Sequence, residues 1–154
     1  MRALALAIVV VAVGVASPAP LAADDDRAVE LLVIVHADNH DAVSASDLEA
    51  YFLRKQRHWP SGDTVIPINF PPEAAPRRTF DRAVLGMSPD EVARYWLDQR
   101  IRDGDTAPRE VGDGALIARL VARLRGAVGY VPAGAAVPGV RVVARVRGGE
   151  LVAP

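Results

Sequence analysis

The chain has 154 residues, no cysteine and a formal net charge of −1 at pH 7. Without cysteine it can form neither a disulfide nor a thiolate metal site, and a near-neutral surface lacks the concentrated positive field that nucleic-acid binding requires. This length is typical of a single domain, and it is large enough to hold a hydrophobic core without covalent cross-links.

The first 23 residues have the composition of an export signal. Arg2 is followed by an unbroken run of small apolar residues from Ala3 to Val15, and small residues precede the acidic start at Asp24. This order is typical of a secretory signal peptide, and the run is shorter than the roughly 20 residues that span a bilayer. We expect cleavage of residues 1–23, with an uncleaved membrane anchor as the alternative. The mature domain would have 17 basic and 19 acidic residues, a net charge of −2.

Apolar runs divide the remaining chain into strands. Continuous, β-branched-rich runs predict buried strands at residues 29–35, 64–68 and 127–131, and residues 109–111 suggest a short additional strand. Residues 140–147 alternate valine or alanine with mostly arginine, which predicts a half-buried strand at a sheet edge.

Helix-start signals lie between these strands. Helices are predicted to begin at Ser44, Pro76, Ser88 and Ala115. In the last helix, Gly126 is expected to be the C-cap, and the residues expected to face inward are Leu116, Leu120, Val121 and Leu124. Strands separated by helices indicate an α/β domain over residues 24–154, with three layers and a mostly parallel sheet.

The candidate site is the loop between the second strand and second helix, in the stretch IPINFPPEAAPRRTFDRAVLG (residues 66–86). Asn69 ends the strand, where open α/β sheets bind ligands, and Arg77 and Arg78 lie at a helix N-terminus, which suits an anion. Gly129 suggests close approach by a ligand or a neighbouring backbone. The alternatives are a turn asparagine bonding its own backbone and two surface arginines.

Metal binding and catalysis find little support in the sequence. His36, Asp38, His40 and Asp41 are zinc- or copper-compatible ligands, but they lie in a predicted loop without a third nearby histidine. The sequence contains no Gly-x-Ser-x-Gly, Gly-x-x-x-x-Gly-Lys or His-Glu-x-x-His motif. We therefore expect a protein that is not an enzyme and that needs neither a metal nor a cofactor.

An ordered series of short motifs resembles the phosphate-type periplasmic solute-binding proteins of ABC importers, in the type 2 periplasmic-binding superfamily. The pieces are VIVHADN, LEAYFLRKQRHWPSGDTVIPIN, RRTFDRAVLG and GAVGYV, spanning about Val33 to Val131. The residues that fill family positions are Leu48, Phe52, Leu53, Lys55, Trp59, Gly62, Phe80, Gly126, Ala127, Gly129 and Tyr130.

Two departures from that family qualify the resemblance. Its full-length members have two lobes that close on the ligand, whereas this chain has residues for one. The family loop carries Ser-Gly-Thr, whose places are taken here by Ala74, Ala75 and Pro76, so the phosphate-holding hydroxyls are missing.

The resemblance and the residue pattern together predict an exported, periplasmic or secreted, single-lobe domain that binds phosphate or another small anion weakly, with Asn69, Arg77, Arg78 and Gly129 as the candidate residues. An ABC permease or another envelope protein would be its partner, and neither nucleic acid nor a stable membrane span is expected. The alternative is an envelope interaction module, derived from a solute-binding lobe, that binds no small ligand.

Overall fold

The computed structural model describes residues 29–135 and 138–154, so the expected signal peptide lies outside the described residues. The strands are β1 (Leu31–His36), β2 (Ile66–Asn69), β3 (Arg109–Glu110), β4 (Ala127–Pro132), β5 (Val140–Arg147) and β6 (Glu150–Val152). The helices are α1 (Ala45–Phe52), α2 (Ala75–Phe80), α3 (Pro89–Asp103) and α4 (Gly114–Arg123). A π-helical segment, Asp81–Leu85, continues α2 directly.

The six strands form one sheet in the order β3-β2-β4-β1-β5-β6. β2 runs parallel to β3 and β4, whereas β1 is antiparallel to both β4 and β5, and β6 is antiparallel to β5. The α/β class is therefore confirmed, but the sheet is mixed rather than mostly parallel, and its parallel pairs lie at the β3 end. Strand direction depends on which connections cross over, and the apolar runs do not encode it.

Two neighbouring residues of β4 show how helices cover both faces of the sheet. Gly129 faces the side chains of Ile117 and Val121 on α4. The next residue, Tyr130, points to the other face, where its ring packs against Phe52 of α1 and Phe80 of α2. Successive side chains of a strand alternate between faces, so these contacts define three layers with the sheet in the middle.

The predicted helix starts at Ser44 and Ser88 are confirmed. Each serine accepts a hydrogen bond from the backbone N–H three residues on, and the acidic side chain there, Asp47 or Glu91, accepts from the serine backbone N–H. Within the described residues, no helix has both the length and the apolar character needed to cross a membrane.

The predicted inward face of α4 is partly wrong. Leu116 and Leu124 are exposed, whereas Ile117 and Ala118 are buried together with the predicted Val121. The helix begins at Gly114 with Asp113 as its N-cap, and its C-cap is Leu124 rather than Gly126. Several sets of apolar residues could form the buried face of this helix, and the contact with β4 determines which set does.

The predicted edge position of β5 is also wrong, because β6 lies beyond it. The alternation along β5 is interrupted as well. Val33 pairs with Ala144, but Ile34 pairs with Val142, so Val143 is an extra residue in the ladder and is buried beside Ala144. A bulge of this kind shifts the later side chains to the other face.

Gly126 has a packing role in place of the expected capping role. A Cβ atom at this position would lie 1.9 Å from the backbone oxygen of Thr64. The Gly126 carbonyl also accepts hydrogen bonds from the backbone N–H of Ile66 and the indole Nε1 of Trp59, both at 2.9 Å. Glycine therefore allows the two segments to approach closely where β2 joins β4.

We predict that Gly126→Ala destabilises the protein by at least about 3 kcal/mol, because a backbone segment must move to admit the methyl group. Gly112→Ala is the matched control: its Cβ would have only one neighbour within 4 Å, at 3.9 Å, so its effect should be small. Urea denaturation followed by circular dichroism measures both. Equal midpoints for the two variants would contradict this role for Gly126.

Candidate functional site

The loop after β2 lies at the carboxyl ends of the parallel strands, as the sequence predicts. Asn69 is the last residue of β2 and pairs with Glu110, the last residue of β3. The following backbone is also held here, since Val111 N–H donates to the Asn69 carbonyl at 2.7 Å. The proline-bearing loop therefore begins at the shared edge of the parallel strands.

Asn69 is buried, and its side-chain oxygen is engaged within the protein. The hydroxyl of Tyr130 donates to Asn69 Oδ1 at 2.6 Å and accepts the backbone N–H of Phe70 at 3.4 Å. Burial raises the pKa of Tyr130, so this hydroxyl keeps its proton and remains a donor at neutral pH. The Asn69 side-chain oxygen, Oδ1, therefore anchors the end of β2 to β4.

Aromatic rings pack around the end of β2. The Phe80 and Tyr130 rings are stacked, with centroids 4.0 Å apart and planes within 4° of parallel. Phe52 lies 4.5 Å from Phe80, and Phe70 lies 5.5 Å from Tyr130, both as tilted pairs. Phe52, Phe70, Phe80 and Tyr130 thus form a closely packed aromatic wall near Asn69.

Arg77 is almost completely buried, at 3% exposure. Its Nε donates to Asp81 Oδ2 at 2.7 Å, and one terminal nitrogen donates to the Phe70 carbonyl at 2.9 Å. The same nitrogen lies 4.0 Å from a carboxylate oxygen of Glu110. The guanidinium therefore ties the loop to the helix and has its charge compensated by carboxylates.

Asp81 is the acidic partner of Arg77 and is buried with it. Its Oδ1 atom has no hydrogen-bond partner among the described residues. Burial raises the pKa of the Asp81 carboxyl, while the adjacent Arg77 opposes this shift through its charge and hydrogen bond. The sequence analysis missed this residue, although its spacing of four from Arg77 is the helical spacing for an ion pair.

Arg78 is more accessible than its neighbour and donates to the backbone carbonyl of Glu73. The start of α2 offers few other donors. Its N-cap, Ala74, has no capping side chain, and the backbone N–H groups of Arg77 and Arg78 both donate to the Ala74 carbonyl. The amides that would face an anion at this helix start are therefore partly occupied.

Gly129 lies apart from the two arginines, beneath α4. A Cβ atom there would be 2.8 Å from Ile117 Cγ2 and 3.3 Å from Val121 Cγ2. Close packing of α4 on β4 therefore accounts for glycine at this position. The structure does not bring Gly129 into one polar site with Asn69 and Arg77.

The histidine-containing loop has local hydrogen-bonding roles. Asp38 N–H donates to His36 Nδ1 at 3.1 Å, and the Asp41 carboxylate accepts the Ser61 hydroxyl at 2.8 Å. Across residues 29–135 and 138–154, no three histidine or carboxylate groups come close enough together to hold a metal ion.

A small cavity of about 160 Å³ opens beside the buried ion pair. Its walls are Pro72, Arg77, Asp81, Pro89, Val92, Ala93, Trp96, Ala107 and Glu110. The sequence analysis did not find this cavity, because it forms where α2, α3 and β3 meet. Elsewhere, the outer face of α3 exposes Leu97 (59%) and Ile101 (75%), which is a feature expected of the interaction-module alternative.

We predict opposite behaviour for the two adjacent arginines. Arg77→Ala leaves Asp81 buried without its partner and should cost about 3–5 kcal/mol of unfolding free energy. Arg78→Ala removes a partly exposed side chain and should stay within about 0.5 kcal/mol of the parent. Chemical denaturation measures both, and equal effects would contradict the structural role of Arg77.

No protein-family model and no curated protein sequence matches the chain. Several solved structures are similar to it, among them proteins from Vibrio cholerae, Clostridium perfringens and Borrelia burgdorferi. An ABC-type phosphate transport receptor from Vibrio cholerae has 14% sequence identity to this chain and a TM-score of 0.56. The aligned region covers 75% of this chain and 46% of the receptor chain. A putative phosphate ABC transporter substrate-binding protein from Clostridium perfringens, with bound phosphate, has 15% identity, a TM-score of 0.58, and coverage of 75% and 45%.

The third is PstS from Borrelia burgdorferi, with 12% identity, a TM-score of 0.53, and coverage of 69% of this chain and 42% of its own. The chain thus spans less than half the length of each of these proteins. At these identities the likeness concerns the fold. The predicted resemblance to phosphate-type solute-binding proteins is confirmed at that level, in a form that fits a single lobe.

Proposed function

We propose that this chain is an exported, non-enzymatic, solute-binding-like lobe that binds phosphate or another small anion weakly at the loop after β2. The observation that carries the proposal is the position of this loop. It leaves the carboxyl edge of parallel strands and enters α2 beside Arg78, in a fold like that of proteins that bind phosphate.

Three features of the loop limit the affinity. Residues 74–76 carry no hydroxyl, the amides of Arg77 and Arg78 donate to Ala74, and the Arg77 charge is compensated by Asp81. Each charge-assisted hydrogen bond contributes about 1.5–3 kcal/mol, so losing two lowers affinity by roughly two or more orders of magnitude. Arg78 is the guanidinium best placed to contact the anion.

Export is supported by the composition of residues 1–23, and the proposed compartment is the periplasm or the extracellular space. An ABC permease or another envelope protein is the proposed partner. The described residues form one lobe, and a partner surface that closes over the solute from the other side would raise the affinity for the anion.

Isothermal titration of residues 24–154 with sodium phosphate tests the proposal. We expect a dissociation constant in the millimolar range. Arg78→Ala should weaken binding at least threefold, because the accessible guanidinium is removed. Arg102→Ala, on the exposed surface of α3 and paired with Asp98, is the matched control and should leave binding unchanged.

Absence of heat at 20 mM phosphate, or equal binding by the Arg78 and Arg102 variants, would contradict anion binding at this loop. Sulfate and acetate, titrated in the same way, separate a preference for phosphate from general anion binding. A result without binding for any anion would favour the interaction-module alternative, for which Leu97 and Ile101 are the exposed apolar residues.

A further inference from the structure

The cavity beside the buried ion pair is separate from the proposed anion contact at Arg78. It lies between the start of α3, the α2 segment and the end of β3, and neither Arg78 nor Asn69 lines it. Its volume of about 160 Å³ is close to that of a cavity of about 150 Å³ known to admit benzene. A molecule of about six non-hydrogen atoms is therefore the size that it can hold.

The charged side chains of the cavity sum to one negative charge. Arg77 contributes one positive charge, and Asp81 and Glu110 contribute one negative charge each when ionised. The Asp81 side chain is only 4% exposed, whereas Glu110 is 44% exposed and is the solvent-facing carboxylate of the three groups. This arrangement opposes a small anion and favours a cation.

Asp81 lines this cavity and has an unused hydrogen-bond acceptor. Oδ2 accepts from Arg77, whereas Oδ1 is buried and without a partner among the described residues. A buried carboxylate oxygen without a donor is unfavourable, so a ligand that brings an N–H group would remove an existing cost. A hydrogen-bond donor would therefore satisfy this oxygen, and a positively charged donor would also offset the negative charge of the cavity.

The remaining walls of the cavity are apolar. They include Pro89 and Val92 at the start of α3, Ala107, and the buried ring of Trp96. Proline, valine and alanine side chains suit an alkyl chain. An indole ring attracts a cation as well as apolar groups. The cavity thus combines a negative end with an apolar body.

We propose that this cavity binds a small alkylammonium ion, with its N–H group donating to Asp81 Oδ1, its charge near the Glu110 carboxylate and its alkyl chain against Trp96. Binding would neutralise the excess negative charge and satisfy the unpaired oxygen in one step. It would leave the Arg77–Asp81 contact in place.

The test uses three probes of one size: n-butylammonium chloride, n-butanol and sodium butyrate. Each is titrated into residues 24–154 by calorimetry and by ¹H–¹⁵N NMR, with the indole N–H of Trp96 as the local reporter. We expect n-butylammonium to bind at least tenfold more tightly than n-butanol, and butyrate not to bind. Similar affinities for the amine and the alcohol would show an apolar cavity only, and would overturn the proposal.

Two variants keep the test independent of folding. Glu110→Gln removes the partly exposed carboxylate and should weaken n-butylammonium binding about three- to tenfold without changing n-butanol binding. Its matched control is Glu150→Gln on β6, an exposed glutamate outside the cavity. Ala93→Leu should fill the cavity and abolish amine binding, since leucine is nearly as favourable as alanine in a helix.

Amine binding that survives Ala93→Leu, or that responds equally to Glu110→Gln and Glu150→Gln, would place the cation elsewhere and overturn the proposal. Binding by none of the three probes would also overturn it. Phosphate is titrated separately, and Arg78→Ala should not alter amine binding. The two binding proposals can therefore fail independently.

Discussion

The buried contact between Arg77 and Asp81 determines what the edge of this sheet can do. Burying a charged group is costly unless it is paired with an opposite charge, and here the guanidinium also donates to the Phe70 carbonyl. This fixes the loop after β2 against the first turns of the following helix. It also buries Arg77, so that this predicted anion ligand is not accessible to a dissolved anion.

The aromatic wall has a similar consequence on the other side of the loop. The Tyr130 hydroxyl donates to the Asn69 side chain, and its ring packs against Phe70, so the end of β2 is held to β4 by polar and apolar contacts together. Packing has thus occupied the polar groups of Asn69, which is why the proposed weak anion site depends on Arg78 alone among the four predicted residues.

Much of the architecture could be predicted from local sequence. The capping boxes at Ser44 and Ser88 and the apolar run of β1 are local signals, and local contacts satisfy them. Strand direction, the buried face of α4 and the role of Gly126 could not be predicted, because each depends on a segment distant in sequence. Position 126 requires glycine because the backbone of Thr64 lies against it. Thr64 is 62 positions earlier in the sequence and becomes a neighbour only in the fold.

The candidate site shows the same division. The position of the loop at the sheet edge follows from strand, proline and helix signals, and it is confirmed. The burial of Arg77 and the cavity at Glu110 and Trp96 were not predictable, since they arise where three elements converge. The spacing of four between Arg77 and Asp81 indicates an ion pair, but an exposed ion pair and a buried one have the same spacing.

The most direct test of this account is the NMR signal of the Arg77 side-chain Nε–H. A guanidinium engaged by Asp81 and Phe70 should give a slowly exchanging signal that stays in place when phosphate is added to 20 mM, whereas the Arg78 signal moves. A rapidly exchanging Arg77 signal that shifts with phosphate would contradict it, because the arginine would then be facing the solute.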